Sequence, residues 1–474
     1  MNVLRQAIFP VIGLLLAGCA GVPAIVPQSS LKDANTLDAG RMIKGSARIE
    51  WPETAWWTTY HDPQLDGLVT QAIAGSPTVR AAKARVALAQ AFADARASAT
   101  APQVNADASA TRERFTALQF IPPPWGGHTD WNNSATFSLS YDLDLWGRLK
   151  SQWRSSVDAV HASAAEAQQV RLELENAVVR SYIGLALAFS LRENAQRRLE
   201  QLDLRIAIER RRLAAGLGTQ MAVTEAEARL PVAQARVDAI DARMLVLKHQ
   251  LAALSGMGPG AGESLVRPKM SLDAPVGLPD SLPANLVGRR PDIIACRWRI
   301  EGAQSDIQAA RAAFYPNINL VAFAGFQALG FEQLASNAAL IAGAGPAFSL
   351  PIFDGGRLRA GLSASTASYD VAVESYNETL LHALEQVSDG LAELQSDSAQ
   401  ARQIDLALAK ARKAHEFALA AQRAGLSDYL RALDTYDSVL QQEQALAQVH
   451  AEASEAYADL MLALGGGAAE IPAR

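Results

Sequence analysis

Polar and apolar residues alternate along two stretches of the first third of the chain. Val104, Ala106, Ala108 and Ala110 interleave with Gln103, Asn105, Asp107, Ser109 and Thr111. Further on, Ala135, Phe137, Leu139, Tyr141, Leu143 and Leu145 face away from Ser134, Thr136, Ser138, Ser140, Asp142 and Asp144. Period two predicts strands with one greasy and one wet face, over about 103–117 and 132–145. Two less regular runs, about 316–327 and 343–353, predict a second pair, with Pro346 blurring where the last one begins. The Pro- and Gly-containing stretches near 120–127 and 330–337 read as loops between partners.

The pattern then changes period. No breaker interrupts Leu149 to Ala215, and about 67 helical residues would extend roughly 100 Å, more than a globular core needs. Ala226, Leu230, Ala233, Val237, Ile240, Met244, Leu247, Leu251 and Leu254 step by fours and threes, which is the seam of a coiled coil. Val157, Val160, Ala164 and Ala167 suggest a similar seam on the incoming helix. Gly216 and Gly425 suit the left-handed position that ends a helix, and Thr219 or Ser427 can cap the returning one. Each tip therefore predicts a helical hairpin.

These elements occur twice. Pro77/Pro291, Arg85/Arg299, Gln90/Gln304, Pro102/Pro316 and Asn105/Asn319 keep one offset without gaps. Gly147-Arg148-Leu149 and Ala215-Gly216-Leu217 return as Gly356-Arg357-Leu358 and Ala424-Gly425-Leu426 at a second constant offset. The chain is two copies of one unit: helix, two strands, long helix, glycine tip, long helix. Four alternating strands suit a membrane barrel but cannot close one, because an open sheet edge does not survive in hydrocarbon. Two chains would give a bore filled by side chains, whereas three would give twelve strands and an aqueous one. If the bore is functional, a trimer standing on a helical tube follows.

Composition agrees with long, thin helical packing. The 474 residues are 49% hydrophobic but only 6% aromatic, and alanine supplies the difference. A net charge of −6 without a basic run excludes a surface built to grip nucleic-acid phosphates. No phosphate-loop, zinc-helix or paired-cysteine motif is present. The seven histidines show no pairing at helical spacing, so neither a catalytic site nor a metal site is expected.

At the amino terminus, Arg5 precedes an apolar stretch from Ala7 to Ala17 and then Leu16-Ala17-Gly18-Cys19. The stretch is too short to span a bilayer and reads as a cleaved export signal over 1–18. The small pair before cysteine resembles the bacterial lipoprotein box, so Cys19 is the expected lipidation site, and Ala20 after it favours the outer membrane. Cys296 then remains as a single thiol in an apolar helical run, expected to be buried and inert.

Three segments carry a family resemblance: Trp56-Trp57-Thr58-Thr59-Tyr60-His61-Asp62-Pro63-Gln64-Leu65, the run from Leu282 to Ile293 containing Gly288-Arg289-Arg290-Pro291-Asp292, and Leu350-Pro351-Ile352-Phe353-Asp354-Gly355-Gly356-Arg357. They resemble the signatures of TolC-like outer-membrane efflux proteins, and the lipoprotein start resembles the NodT-type branch. The resemblance implies a mainly α fold with a membrane β-barrel part: a trimeric 12-stranded barrel on a long coiled-coil periplasmic tunnel. It divides the chain into a lipidated and equatorial segment (19–75), a first repeat (76–256), an equatorial linker (257–290), a second repeat (291–464) and a tail (465–474). It implies a homotrimer in outer-membrane lipid, working with a periplasmic adaptor and an inner-membrane resistance-nodulation-division pump, with no cofactor beyond the lipid on Cys19.

In such ducts a Leu and an Asp four apart form the constriction at the tunnel mouth. The resemblance places them at Leu430 and Asp434, with Glu225 as the first-repeat counterpart. Arg431 stands where better-known members carry an acid, so an Arg–Asp lock is expected there. Phe115, Trp125, Trp131, Tyr141, Phe314 and Tyr315, near strand ends, are candidate interfacial belts. The expected function is an exit duct for drugs or other small toxic solutes. A duct serving protein secretion shares the same architecture. A pore-less lipoprotein scaffold would have no use for the alternating strands.

Overall fold

The computed structural model describes residues 22–34, 37, 54–118, 125–270 and 288–466. Cys19, the expected signal segment, part of the linker and most of the tail lie outside them. Among the described residues the chain is mainly helical with one four-stranded antiparallel sheet. The elements are α1 (Pro63–Gly75), α2 (Pro77–Ser98), β1 (Gln103–Arg114), β2 (Thr129–Asp142), α3 (Arg148–Ala214), α4 (Gln220–Leu254), α5 (Pro291–Ala312), β3 (Asn317–Leu329), β4 (Leu340–Ser349), α6 (Arg357–Arg423) and α7 (Tyr429–Ala463). The duplication is visible in the lengths: α2 and α5 have 22 residues each, α3 and α6 have 67, and α4 and α7 have 35.

The chain divides into two compact units. The first comprises Met1–Leu31, Arg85–Ser163 and Ala295–Tyr376, and it holds the sheet. Strand order is β1-β2-β3-β4, so β1 and β4 are edges. The register aligns Asn105 with Ser138, Ser138 with Phe323 and Phe323 with Gly343, which keeps each face continuous across all four strands. Val104, Phe137 and Phe348 on the greasy face are exposed, because nothing among the described residues covers it. β4 begins at Leu340 rather than 343 and ends at Ser349, with Pro346 inside it opposite Leu320. An edge strand tolerates a residue with no N–H to give. At Gly325 a Cβ would meet the Ala135 carbonyl oxygen at 2.2 Å, so only glycine lets β2 and β3 approach there.

Each strand pair turns into its long helix through an aspartate. Asp144 accepts from the N–H groups of Leu149 and Lys150 at 2.9 and 2.8 Å, and Asp354 accepts from Gly356 and Leu358 at 3.0 and 2.8 Å. Aromatic pairs mark both ends of the sheet: Trp131 lies 5.4 Å from Phe331, and Trp146 stacks on Tyr315 at 4.6 Å. Of the expected belt residues, Phe115 is instead buried. Cys296 is buried, with the Arg299 guanidinium 3.8 Å from its sulfur.

The second unit comprises Lys32–Ala84, Ala164–Ile294 and Asn377–Arg474. Here the Trp-Trp-Thr-Thr-Tyr-His-Asp-Pro motif explains itself. Trp56, Trp57 and Tyr60 are buried, and the Tyr60 hydroxyl donates to the Ser454 carbonyl at 2.8 Å. Asp62 caps α1, whose Leu65, Leu68, Val69 and Ala72 form one apolar stripe. The guanidinium of Arg290, in the second motif, is also buried: it binds Asp292 and donates at 2.9 Å to the carbonyl of Ala463, in the last turn of α7, where a cation suits the helix dipole. The α4 seam is buried or half-buried at each expected position. On α3 the expected seam residues Val157, Val160, Ala164 and Ala167 are half-buried, and the fully buried positions beside them are Ala162 and Ala165, two residues away in phase.

Candidate functional site

The hairpin tips lie in the second unit and are built alike. Gly216 and Gly425 have φ of 71° and 73°. Leu217 N–H reaches the Arg212 carbonyl and Leu426 N–H the Ala421 carbonyl, closing α3 and α6 in the same way. Thr219 caps α4 as expected. For α7 the cap is Asp428, which accepts from Arg431 N–H at 3.1 Å, and not Ser427. The left-handed glycine throws the next side chain outward, leaving Leu217 74% and Leu426 83% exposed.

The expected gate residues fall on the first turns after these tips. Leu430 is half-buried, while Arg431, Asp434 and Glu225 are exposed. The carboxylate of Asp434 is taken by Arg205 of α3, so the expected lock with Arg431 is replaced by a pair between helices. Arg205 belongs to a ladder. Arg212 pairs with Asp428 at 3.1 Å, Arg198 with Asp437 at 3.5 Å, Arg197 with Glu443 at 2.9 Å, and Arg180 with Glu455 at 2.9 Å and with Asp459. As residue numbers rise on α7 they fall on α3, so the two helices run antiparallel. Between the ion pairs, the buried Asn194 amide donates to the Leu440 carbonyl at 2.8 Å.

Arg198, Arg205 and Arg212 recur every seven residues, and this heptad of arginines facing an acidic α7 was the overlooked signal. Each exposed pair contributes about 0–1 kcal/mol. The ladder therefore fixes register without holding the fold. Behind it lies a cavity of about 630 Å³, lined by Arg198, Arg205, Arg229 and Arg236 against Asp434 and Asp437.

Away from the tips, the carboxylates of Asp62 and Asp158 are shifted in opposite directions. Burial raises Asp62, but the Tyr182 hydroxyl at 2.7 Å and the N–H groups of Lys269, Gln64 and Met270 outweigh it and hold its pKa below the ordinary value. Burial, reinforced by Glu301 and Asp306, pushes Asp158 in the first unit up to about 6 despite Arg154.

In the first unit the sheet offers its polar face as a second functional surface, because its other face is apolar except for Asn133 and, at the loop end of β1 and β2, Arg112, Arg114 and Thr129, and its strands, 10 to 14 residues long, match the span of a bilayer. No helix among the described residues is long and apolar enough to cross a membrane.

The sequence model of the family described as "Outer membrane efflux protein" matches residues 68–257 and 282–466. The fusaric acid resistance protein FusA of Burkholderia cepacia is 43% identical over 364 residues, 75% of this chain and 68% of its own. The multidrug resistance outer membrane protein MdtP of Escherichia coli K12 is 29% identical over 462 residues, 96% of this chain and 94% of its own. The crystal structure of the outer membrane protein VceC of Vibrio cholerae superposes with a TM-score of 0.81 at 31% identity, covering 88% of this chain and 100% of VceC.

Proposed function

The chain belongs to the outer membrane efflux protein family, and from that premise we propose that three copies assemble into a passive exit duct gated at the hairpin tips. It is an outer-membrane channel of an efflux system and not an enzyme. The observation that carries the proposal is the sheet: four strands, greasy on one face and polar on the other, with the outer edges of β1 and β4 unpaired among the described residues. In lipid those edges must find partners, and β4 of one copy against β1 of the next satisfies both. Three copies give the twelve strands that leave water inside.

The long hairpins would then form the periplasmic tunnel, with Leu430, Arg431, Asp434 and Glu225 at its mouth and the Arg205–Asp434 pair holding it narrow. The exposed Leu217 and Leu426 offer an apolar contact to a periplasmic adaptor, through which a resistance-nodulation-division pump would deliver cargo. We assign the lipid anchor to Cys19. Arg311, six residues before β3, holds the carbonyl of Ile25 at 3.4 Å. From Ile25 an extended chain of six residues reaches roughly 20 Å, enough to bring an acyl group on Cys19 to the leaflet beside the strands. FusA and MdtP are named for resistance to fusaric acid and to multiple drugs, and small toxic organic solutes are the cargo we assign here.

The test is reconstitution of the purified protein into planar bilayers. Discrete steps of KCl current support the duct, whereas membranes that stay silent with correctly inserted protein exclude it.

A further inference from the structure

The polar face of the sheet is not uniformly polar. On β1 and β2 it carries Gln, Asn, Ser, Thr and acids, but on β3 and β4 it carries Val321, Phe323 and Ile341 between the polar Asn319 and Gln327. These apolar residues share a face with Ser138 and Asn105, opposite Phe137 and Phe326, so they are turned away from the greasy side. Phe323 is 46% exposed. Its ring lies across Gly343, where a Cβ would stand 2.7 Å from Cε1 and 2.8 Å from Cζ. At Gly345, two residues on, a side chain would meet open space. A half-exposed ring lying against bare backbone is a shelf, open on the side that Gly343 does not cover.

The charge around the shelf has one sign. The polar face carries Asp107, Glu113, Asp130 and Asp142, and no Lys or Arg among the described strand residues. Asp142 is matched by Arg148 at 3.1 Å. Asp107 lies two strands across and two residues along from Phe323, roughly 12 Å between backbones. An aromatic π face within an acidic, arginine-free surface favours a ligand that is both aromatic and positive.

We propose that Phe323 and Gly343 form a docking shelf inside the barrel for aryl-bearing organic cations, with the ligand's ring or charge on Phe323 and the field of Asp107 and its neighbours holding it there. The shelf rests on the reading of this face as the lining of a closed bore. It makes the barrel a weakly selective last station before release, rather than an inert pipe. An aryl anion of the same size meets the same ring but the wrong field.

Planar-bilayer recording separates the two readings. KCl current through the reconstituted trimer reports the bore; benzyltrimethylammonium, added on the side of the strand loops, reports the shelf, with tetramethylammonium and benzoate as controls. The aryl cation should block at concentrations where neither control does. Phe323→Leu, which keeps apolar bulk and loses the π face, should raise the half-blocking concentration about tenfold. Phe323→Trp should keep it as low as in the wild type, and Asp107→Asn should raise it several-fold. A conducting pore whose block is the same in Phe323→Leu, or is shared by benzoate, overturns the shelf alone. No KCl current from any of the proteins overturns the bore and the shelf with it.

Discussion

Arg205 on α3 donates to the carboxylate of Asp434 on α7 across 229 residues of sequence, joining the first repeat's incoming helix to the second repeat's returning one. The arginine side chain is 20% exposed and the aspartate 52%, so the pair is wet on one side and open to screening by salt.

Breaking this pair should open the mouth and leave the fold standing. Arg205→Ala or Asp434→Ala is expected to raise single-channel conductance several-fold while changing stability by no more than about 1 kcal/mol. The double exchange Arg205→Asp with Asp434→Arg should restore the low conductance. Arg431→Ala alone should do little, because its backbone and not its side chain serves the α7 cap. Equal conductance in all four proteins would remove the pair from the gate.

Asp62 predicts the opposite behaviour: large in stability, small in conductance. Its carboxylate receives the Tyr182 hydroxyl and three backbone N–H groups, so Asp62→Asn loses charge-assisted bonds in a buried place and should cost about 2 kcal/mol at pH 7. Because the folded-state pKa is depressed, the stabilisation is present above the unfolded value and is lost as pH falls through the folded one. Chemical denaturation of both proteins should therefore show a gap at pH 7 that narrows below about pH 4. A gap that persists unchanged in acid would contradict this account.

Asp158 carries the reverse sign. Its pKa is raised to about 6 by burial and by Glu301 and Asp306, so the folded state prefers it protonated. Its ionisation costs stability progressively from its unfolded pKa near 4 up to the folded value, and the cost is complete above it. Asp158→Asn should gain on the order of 1 kcal/mol at pH 7.5, after allowance for solvent reaching the site, and nothing at pH 4. Thermal melts at the two pH values test this.

The covalent anchor is tested separately. Cys19→Ala should abolish incorporation of labelled palmitate while leaving channel currents intact. Continued labelling would place the lipid elsewhere.

Most of the architecture was legible in the sequence because its determinants are periodic. Alternation from Ser134 fixes a strand and its faces, although the strand ends at Asp142 and not at Leu145 because Asp144 turns to cap α3; the four-three steps from Ala226 to Leu254 fix a helix and its buried side, and the repeat offsets fix how many of each. Ends were less legible: β4 starts at Leu340, because an edge strand accommodates Pro346, and α7 is capped by Asp428 rather than Ser427, because an aspartate one residue nearer the helix competes better for the same N–H groups. The partner of Asp434 was hidden for a different reason. A local reading sees Arg431 one turn away, whereas Arg205 comes close only once α3 and α7 lie antiparallel; the arginine heptad on α3 marks a charged stripe but does not say which acids it meets. Phe323 was hidden too, since its face follows from register with Ser138 and Gly343 rather than from alternation within β3.

The central claim is that one chain supplies a third of a closed barrel. Native mass spectrometry of the detergent-solubilised protein measures this most directly. The account predicts a single assembly of three chains, whose β signal survives dilution. A monomer or dimer that conducts ions with the same four strands per chain would contradict it.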